Sequence, residues 1–175
     1  SLNSIVKVRN TTTPGTILND LRASIIRSFA DKGENAAKDG MDICLLTIDR
    51  QNMKLHFAGA YNPLLQIRNG VLTEYKVDRF PCALMEFSKE LTPFSTQTID
   101  IEEGDCYYFF SDGYCDQFGG EGGMRKFMKS RFKQLLTSIC DKPMAEQCEI
   151  LNRTHIEFKG NIDQIDDILV IGIRI

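Results

Sequence analysis

Apolar residues recur at three- and four-residue spacing near the start of the chain and again in its last third, while shorter alternating or continuous apolar runs fill the middle. Thr13-Pro14 supplies a hydroxyl cap followed by a proline suited to the first helical position. Ile17, Leu18, Leu21, Ile25 and Phe29 then follow at helical spacing, with Gly33 placed to end the helix and a polar loop from Asp31 to Asp39. Ser1 to Val8 can lie along one helical face and reads as the tail of a helix. From Met41 the period shortens. Met41–Ile48 and Lys54–Ala58 predict a hairpin about the Asp49–Asn52 turn. After Gly59–Pro63, Leu64–Ile67 and Val71–Val77 extend it into a meander of antiparallel strands, with Asn69-Gly70 as a type I′ turn.

Residues 79–93, with two prolines and little periodicity, read as a loop. Phe94–Ile101 alternates as a half-buried strand does, and Glu103-Gly104 turns the chain into Cys106–Phe110. That last run, continuously apolar and aromatic, predicts a strand buried on both faces. Beyond Gly123, Met124, Phe127, Met128, Phe132, Leu135, Leu136 and Ile139 form the apolar stripe of a helix with basic residues opposite, which reads as a core helix with a solvated face. Pro143 opens a further helix, with Met144, Cys148, Leu151 and Ile156 inward and Gly160 at its end. Ile168–Ile175 forms a strongly apolar final strand. Helices, five or six antiparallel strands, two helices and a strand make an α+β fold.

Composition narrows the classes. With 175 residues, 42% hydrophobic and 26% charged, the chain suits one globular domain spanning 1–175. A net charge of −3 gives no basic footprint for nucleic acid. No apolar run approaches the roughly 18 residues that cross a bilayer, and no secretory-leader pattern opens the sequence. The six cysteines have no C-x-x-C spacing, which points to a reducing, cytoplasmic setting. With only His56 and His155, and no paired cysteines beside them, the chain argues against zinc.

The candidate chemistry is acidic. Asp112 follows the buried strand and precedes Gly113, Asp116 lies four residues on, and Asp166-Asp167 precede the last strand. If those two strands pair antiparallel, Asp112 and the acidic pair converge. Carboxylates without His or Cys suit a hard divalent cation such as Mg²⁺ or Mn²⁺. A glycosidase acid–base pair would use the same residue types, and the carboxylates could also merely cap turns. Residues alone weigh ion binding and turn capping equally. Gly119–Gly123 lacks the Lys-Ser/Thr of a phosphate loop and reads as a flexible flap, and Asn62-Pro63 as a structural turn.

Together these landmarks resemble the PPM-type metal-dependent serine/threonine phosphatases, in the branch typified by stage II sporulation protein E. The matching pieces are Asp39-Gly40-Met41-Asp42, Ala58-Gly59-Ala60-Tyr61-Asn62-Pro63, Phe110-Ser111-Asp112-Gly113, Gln117-Phe118-Gly119-Gly120 and Asp166-Asp167. The resemblance implies two antiparallel sheets sandwiched between helices. It makes Asp112 and Asp166 ligands of two Mg²⁺ or Mn²⁺ ions, with Asp167 a weaker candidate. A metal-activated water, not a side chain, is then the nucleophile toward phosphoserine or phosphothreonine. It further implies a phosphorylated regulatory partner, such as an anti-sigma factor antagonist, and a parent with an N-terminal sensor region, soluble or membrane-tethered.

Three departures bear on activity. The family's Asp-x-x-Gly-His-Gly motif is absent, Ala60 stands where some relatives carry an acid, and Leu169 replaces a small polar residue. The expectation is half a metal site, missing first strands, weak metal binding and negligible phosphatase activity in this piece alone. An uncovered sheet edge would favour self-association. The alternative is a catalytically silent binding module of the same fold, with a sugar-cleaving enzyme a distant third.

Overall fold

The computed structural model describes residues 13–30, 42–82, 92–122 and 125–175. Expectations for Ser1–Val8, Gly33 and the 31–39 loop, for Asp39-Gly40-Met41, for most of the 79–93 loop and for Met124 lie outside the described residues. In chain order the elements are α1 (Pro14–Ala30), β1 (Ile43–Asp49), β2 (Lys54–Ala60), β3 (Leu64–Arg68), β4 (Val71–Tyr75), β5 (Gln97–Asp100) and β6 (Cys106–Phe110). There follow α2 (Gly113–Asp116), β7 (Phe118–Gly119), β8 (Arg125–Lys126), α3 (Lys129–Ile139), α4 (Met144–Lys159) and β9 (Val170–Arg174). The chain divides into two compact units, one running through Pro63 and including Lys76–Ile101, the other comprising Leu64–Tyr75 and Glu102–Ile175.

In the first unit α1 starts at Pro14 as its sequence predicts, and the Ile17 amide donates to the Thr13 carbonyl at 3.1 Å. Leu18 is buried in a cluster with Ala58, Ala60, Cys82 and Phe94. The sheet order is β1-β2-β5, all antiparallel, with Ile43 opposite Ala60 and Asp49 opposite Lys54. The Asp49 carboxylate fixes the intervening turn by accepting the Gln51 and Asn52 amides, each at 3.0 Å.

The second unit holds a four-stranded antiparallel sheet in the order β4-β3-β6-β9. Asn69 (φ 50°) and Gly70 (φ 76°) close the β3–β4 hairpin, as the type I′ expectation requires. The single meander is corrected: Tyr61–Pro63 carry the chain out of one sheet and into another. Local alternation fixes each strand but not its partner. Phe94–Ser95 are likewise not strand, and β5 begins only at Gln97.

Strand β6 is interior and buried at four of its five residues, as its apolar run predicts. Its Cys106, Tyr108 and Phe110 join Leu65 and Ile67 of β3 in one core with Phe132, Leu136 and Ile139 of α3 and Leu151 and Phe158 of α4. Strand β9 differs from expectation. It spans only Val170–Arg174 and forms the sheet edge, with Ile171 and Gly172 exposed.

The helices differ too. α3 begins at Lys129, because Arg125–Lys126 pair with Phe118–Gly119 in a small hairpin. The glycine-rich stretch is anchored at its start, Gly119-Gly120. The Gly120 amide donates to the Phe158 carbonyl at 2.7 Å, and a Cβ on Gly119 would lie 1.9 Å from that same oxygen. On α4 Leu151 is buried as expected, but Cys148 and Ile156 are exposed, and Gln147, His155 and Phe158 are buried in their place. Gln147 is accommodated because it is partnered: its Oε1 accepts Tyr108 O–H at 2.6 Å and its Nε2 donates to the Lys142 carbonyl at 2.8 Å.

A buried polar network ties β3 to the entry of β6. Asp105, 1% exposed, accepts bonds from Gln66 Nε2 (3.0 Å), Tyr107 O–H (2.9 Å), the Glu102 amide (3.0 Å) and two nitrogens of Arg68 (2.8 and 2.7 Å).

Candidate functional site

The site is built where β6 ends. Antiparallel pairing sets Phe110 opposite Val170, so the residues after β6 meet those before β9. Ser111 extends this pairing with both backbone and hydroxyl. Its amide donates to the Leu169 carbonyl, and its Oγ donates to the Asp167 carbonyl and accepts from the Leu169 amide, each at 2.9 Å. Gly113 permits the approach, since a Cβ there would stand 2.4 Å from the Asp167 carbonyl oxygen. The convergence expected from the sequence is thus present in the backbone.

Asp112 occupies the cap position of α2, with φ −69° and ψ −22°, and its carbonyl accepts the Cys115 and Asp116 amides at 2.9 Å. Its carboxylate makes no capping bond and is exposed, so turn capping is not what this side chain does. Asp166 and Asp167 are also exposed. Asp166 Oδ1 accepts the Asp167 amide at 2.7 Å, which leaves its second oxygen and the Asp167 carboxylate facing solvent chemistry. Asp116 is different: it pairs with Lys126 at 3.1 Å and belongs to the hairpin.

Gln117 is a positioning residue whose role the sequence reading missed. It is fully buried, and its Nε2 donates to the carbonyls of Asp163 (2.9 Å) and Phe118 (3.0 Å), fastening the segment that leads to the acidic pair. The cue was its place in the Gln117-Phe118-Gly119-Gly120 match, which carried no role for the side chain.

Exposed carboxylate oxygens on two touching segments suit Mg²⁺ or Mn²⁺, which bind through one or two carboxylates and keep water or substrate phosphate in the remaining positions. They do not make a closed cage. Among the described residues no group of three or more His, Cys, Asp or Glu is placed to hold one ion. Ala60, buried at the end of β2, adds no carboxylate.

Because the atom facing Gly113 is backbone, Gly113→Ala is expected to cost about 1–3 kcal/mol. A lowered urea midpoint would register it, with the 166–167 amides shifting in NMR spectra. Unchanged amides would show that the close approach does not position the acidic pair.

The Stage II sporulation protein E (SpoIIE) family profile matches residues 2–175. The chain belongs to the SpoIIE family. Solved structures agree on the fold of this SpoIIE-family chain. The SiaA-PP2C domain of Pseudomonas aeruginosa is 26% identical with a TM-score of 0.84, over 99% of this chain and 65% of that one. The phosphatase domain of SpoIIE from Bacillus subtilis is 16% identical with a TM-score of 0.57, over 91% and 71%. The PPM Ser-Thr phosphatase MsPP from Mycobacterium smegmatis, in complex with cacodylate, is 14% identical with a TM-score of 0.60, over 99% and 78%. The chain therefore spans 65% of the length of the SiaA-PP2C domain. No curated protein matches it. Among the described residues no helix is long and apolar enough to cross a membrane.

Proposed function

We propose that the chain is part of a metal-dependent protein serine/threonine phosphatase domain that serves as the output of a signalling protein. Its substrate is a phosphoserine or phosphothreonine on a regulatory protein, such as an anti-sigma factor antagonist. The observation that carries this reading is the stitching of Asp112 to the Asp166–Asp167 segment by Ser111. Within a SpoIIE-family chain, hard oxygen donors on two adjoining segments support a site that receives a phosphate.

In this reading Asp112 and Asp166 hold Mg²⁺ or Mn²⁺, and Asp167 lends negative charge beside them. The ion, when bound, supplies a water of lowered pKa and a clamp on the phosphoryl oxygens. Ser111 and Gln117 keep the two acidic segments in register. Gly113 lets them close to backbone contact. The exposure of all three carboxylates leaves room for a substrate carried on a protein surface.

The shortage of ligands among the described residues favours a second reading, a silent module that binds the phosphoprotein without hydrolysing it. One measurement separates the two. The parent protein carrying this chain is incubated with a phosphoserine peptide and Mn²⁺, and phosphate release is followed with and without EDTA. Release abolished by EDTA is the expected result. Peptide binding without release would favour the silent module, and neither binding nor release would end both readings.

A further inference from the structure

The second unit carries a concavity apart from the carboxylates. The β7–β8 hairpin, the start of α3 and the end of α4 surround about 550 Å³ lined by Arg125, Lys126, Met128, Arg131 and Phe158, with Gly120 and Gly122 at the hairpin turn. Its charge runs against that of the chain, which is −3 overall. The Arg131 guanidinium is held over two aromatic faces, 4.8 Å from the Phe127 ring centre and 4.9 Å from that of Phe158. Among the described residues no carboxylate pairs with Arg131 or Arg125. Lys126 is engaged by Asp116, Glu121 is the acidic residue in the lining, and the first turn of α3 contains none.

A guanidinium pinned by aromatic rings loses little freedom on binding, and its planar fork matches a carboxylate. The walls are not purely charged. Met128, 56% exposed, and the Phe158 ring offer apolar surface beside the cations. Such a lining suits an apolar stem with an anionic head better than a free inorganic anion.

We propose that this concavity docks an acidic segment of a partner protein, with a glutamate or aspartate on Arg131 and Arg125 and a neighbouring apolar residue against Met128 and Phe158. The hairpin is separated from Asp112 only by the single turn of α2. Identifying that partner with the phosphorylated substrate rests on the phosphatase reading, whereas the docking itself does not.

The test is fluorescence anisotropy with this chain, without metal, and a labelled peptide of alternating Glu and Leu. Its Gln-for-Glu counterpart and inorganic phosphate serve as comparison and competitor. Binding of the acidic peptide alone is expected. It should weaken about 5- to 10-fold in R125Q/R131Q, as two exposed ion pairs would predict, and fall as ionic strength rises toward about 0.3 M. R125Q alone, at an exposed strand position, should weaken it by a smaller factor and covers the case in which the double variant does not fold. Equal binding of the Gln peptide, unchanged affinity in R125Q, or full displacement by phosphate at equal concentration would overturn the proposal. Because no hydrolysis is read, a failure of the phosphatase reading leaves this outcome distinct.

Discussion

Asp105→Ala is expected to destabilise the protein by about 3–5 kcal/mol, the range seen when one partner of a buried ion pair is removed. Asp105 is the hub of the network, and truncation would leave the Tyr107 hydroxyl, the Glu102 amide and part of Arg68 without their acceptor, while Gln66 would keep only its bond to the Tyr107 oxygen. Arg68 alone would not carry the cost. Its side chain is 31% exposed and also bonds Glu102. The greater part comes from the buried donors, which lose an acceptor that water cannot replace. Urea denaturation should show a lower midpoint at unchanged slope. A loss below about 1 kcal/mol would mean that solvent reaches these groups freely.

The same residue gives the fold an acid limit. Burial alone would push the Asp105 carboxyl up, but the bonds from Arg68, the Glu102 amide, Tyr107 and Gln66 outweigh it and hold the group at about 2, below its ordinary 3.8. A carboxyl depressed in the folded state binds its proton more readily when unfolded. Its contribution is therefore complete above pH 3.8 and is lost as pH falls toward about 2. Asp105→Ala should flatten the stability profile in that window.

What could be read from the chain was what neighbouring residues decide among themselves. Thr13-Pro14, Asn69-Gly70 and the Cys106–Phe110 run each carry their conformation locally, and all three elements stand where expected. The convergence of Asp112 with Asp166-Asp167 was legible only as a condition on strand pairing, which the β6–β9 register meets. The switch between sheets at Tyr61–Pro63 was not legible, because each strand alternates in the same way whichever neighbour it joins. Nor was the Asp105 network. In sequence Asp105 only follows the Glu103-Gly104 turn, and its partners Gln66 and Arg68 reach it only through the pairing of Gln66 with Tyr107 across β3 and β6. On α4, burial of Gln147 in place of Cys148 inverts hydrophobic ranking, and the reason lies in Tyr108 on another element. The β7–β8 hairpin escaped notice since glycine weakens every strand signal, although Gly119 is there to let β7 lie against the Phe158 carbonyl.

Asp112→Asn should have the larger consequence for activity. The substitution keeps size and backbone, for the side chain makes no capping bond that asparagine would lose. It removes one negative charge from a site that, among the described residues, has few to spare. A weaker hold on a divalent ion and a poorer clamp on phosphate are worth several kcal/mol in such sites. Mn²⁺-dependent release of phosphate by the parent protein is therefore expected to fall about 10²- to 10³-fold. Stability should be nearly unchanged. Asp116→Asn supplies the contrast, because that carboxylate is occupied by Lys126 at 3.1 Å and should leave hydrolysis within a few-fold of wild type. Equal losses in the two variants would point to general disturbance of α2 rather than to ion binding. A large loss at Asp116 with little at Asp112 would move the ion site to the hairpin and detach the convergence of β6 and β9 from catalysis.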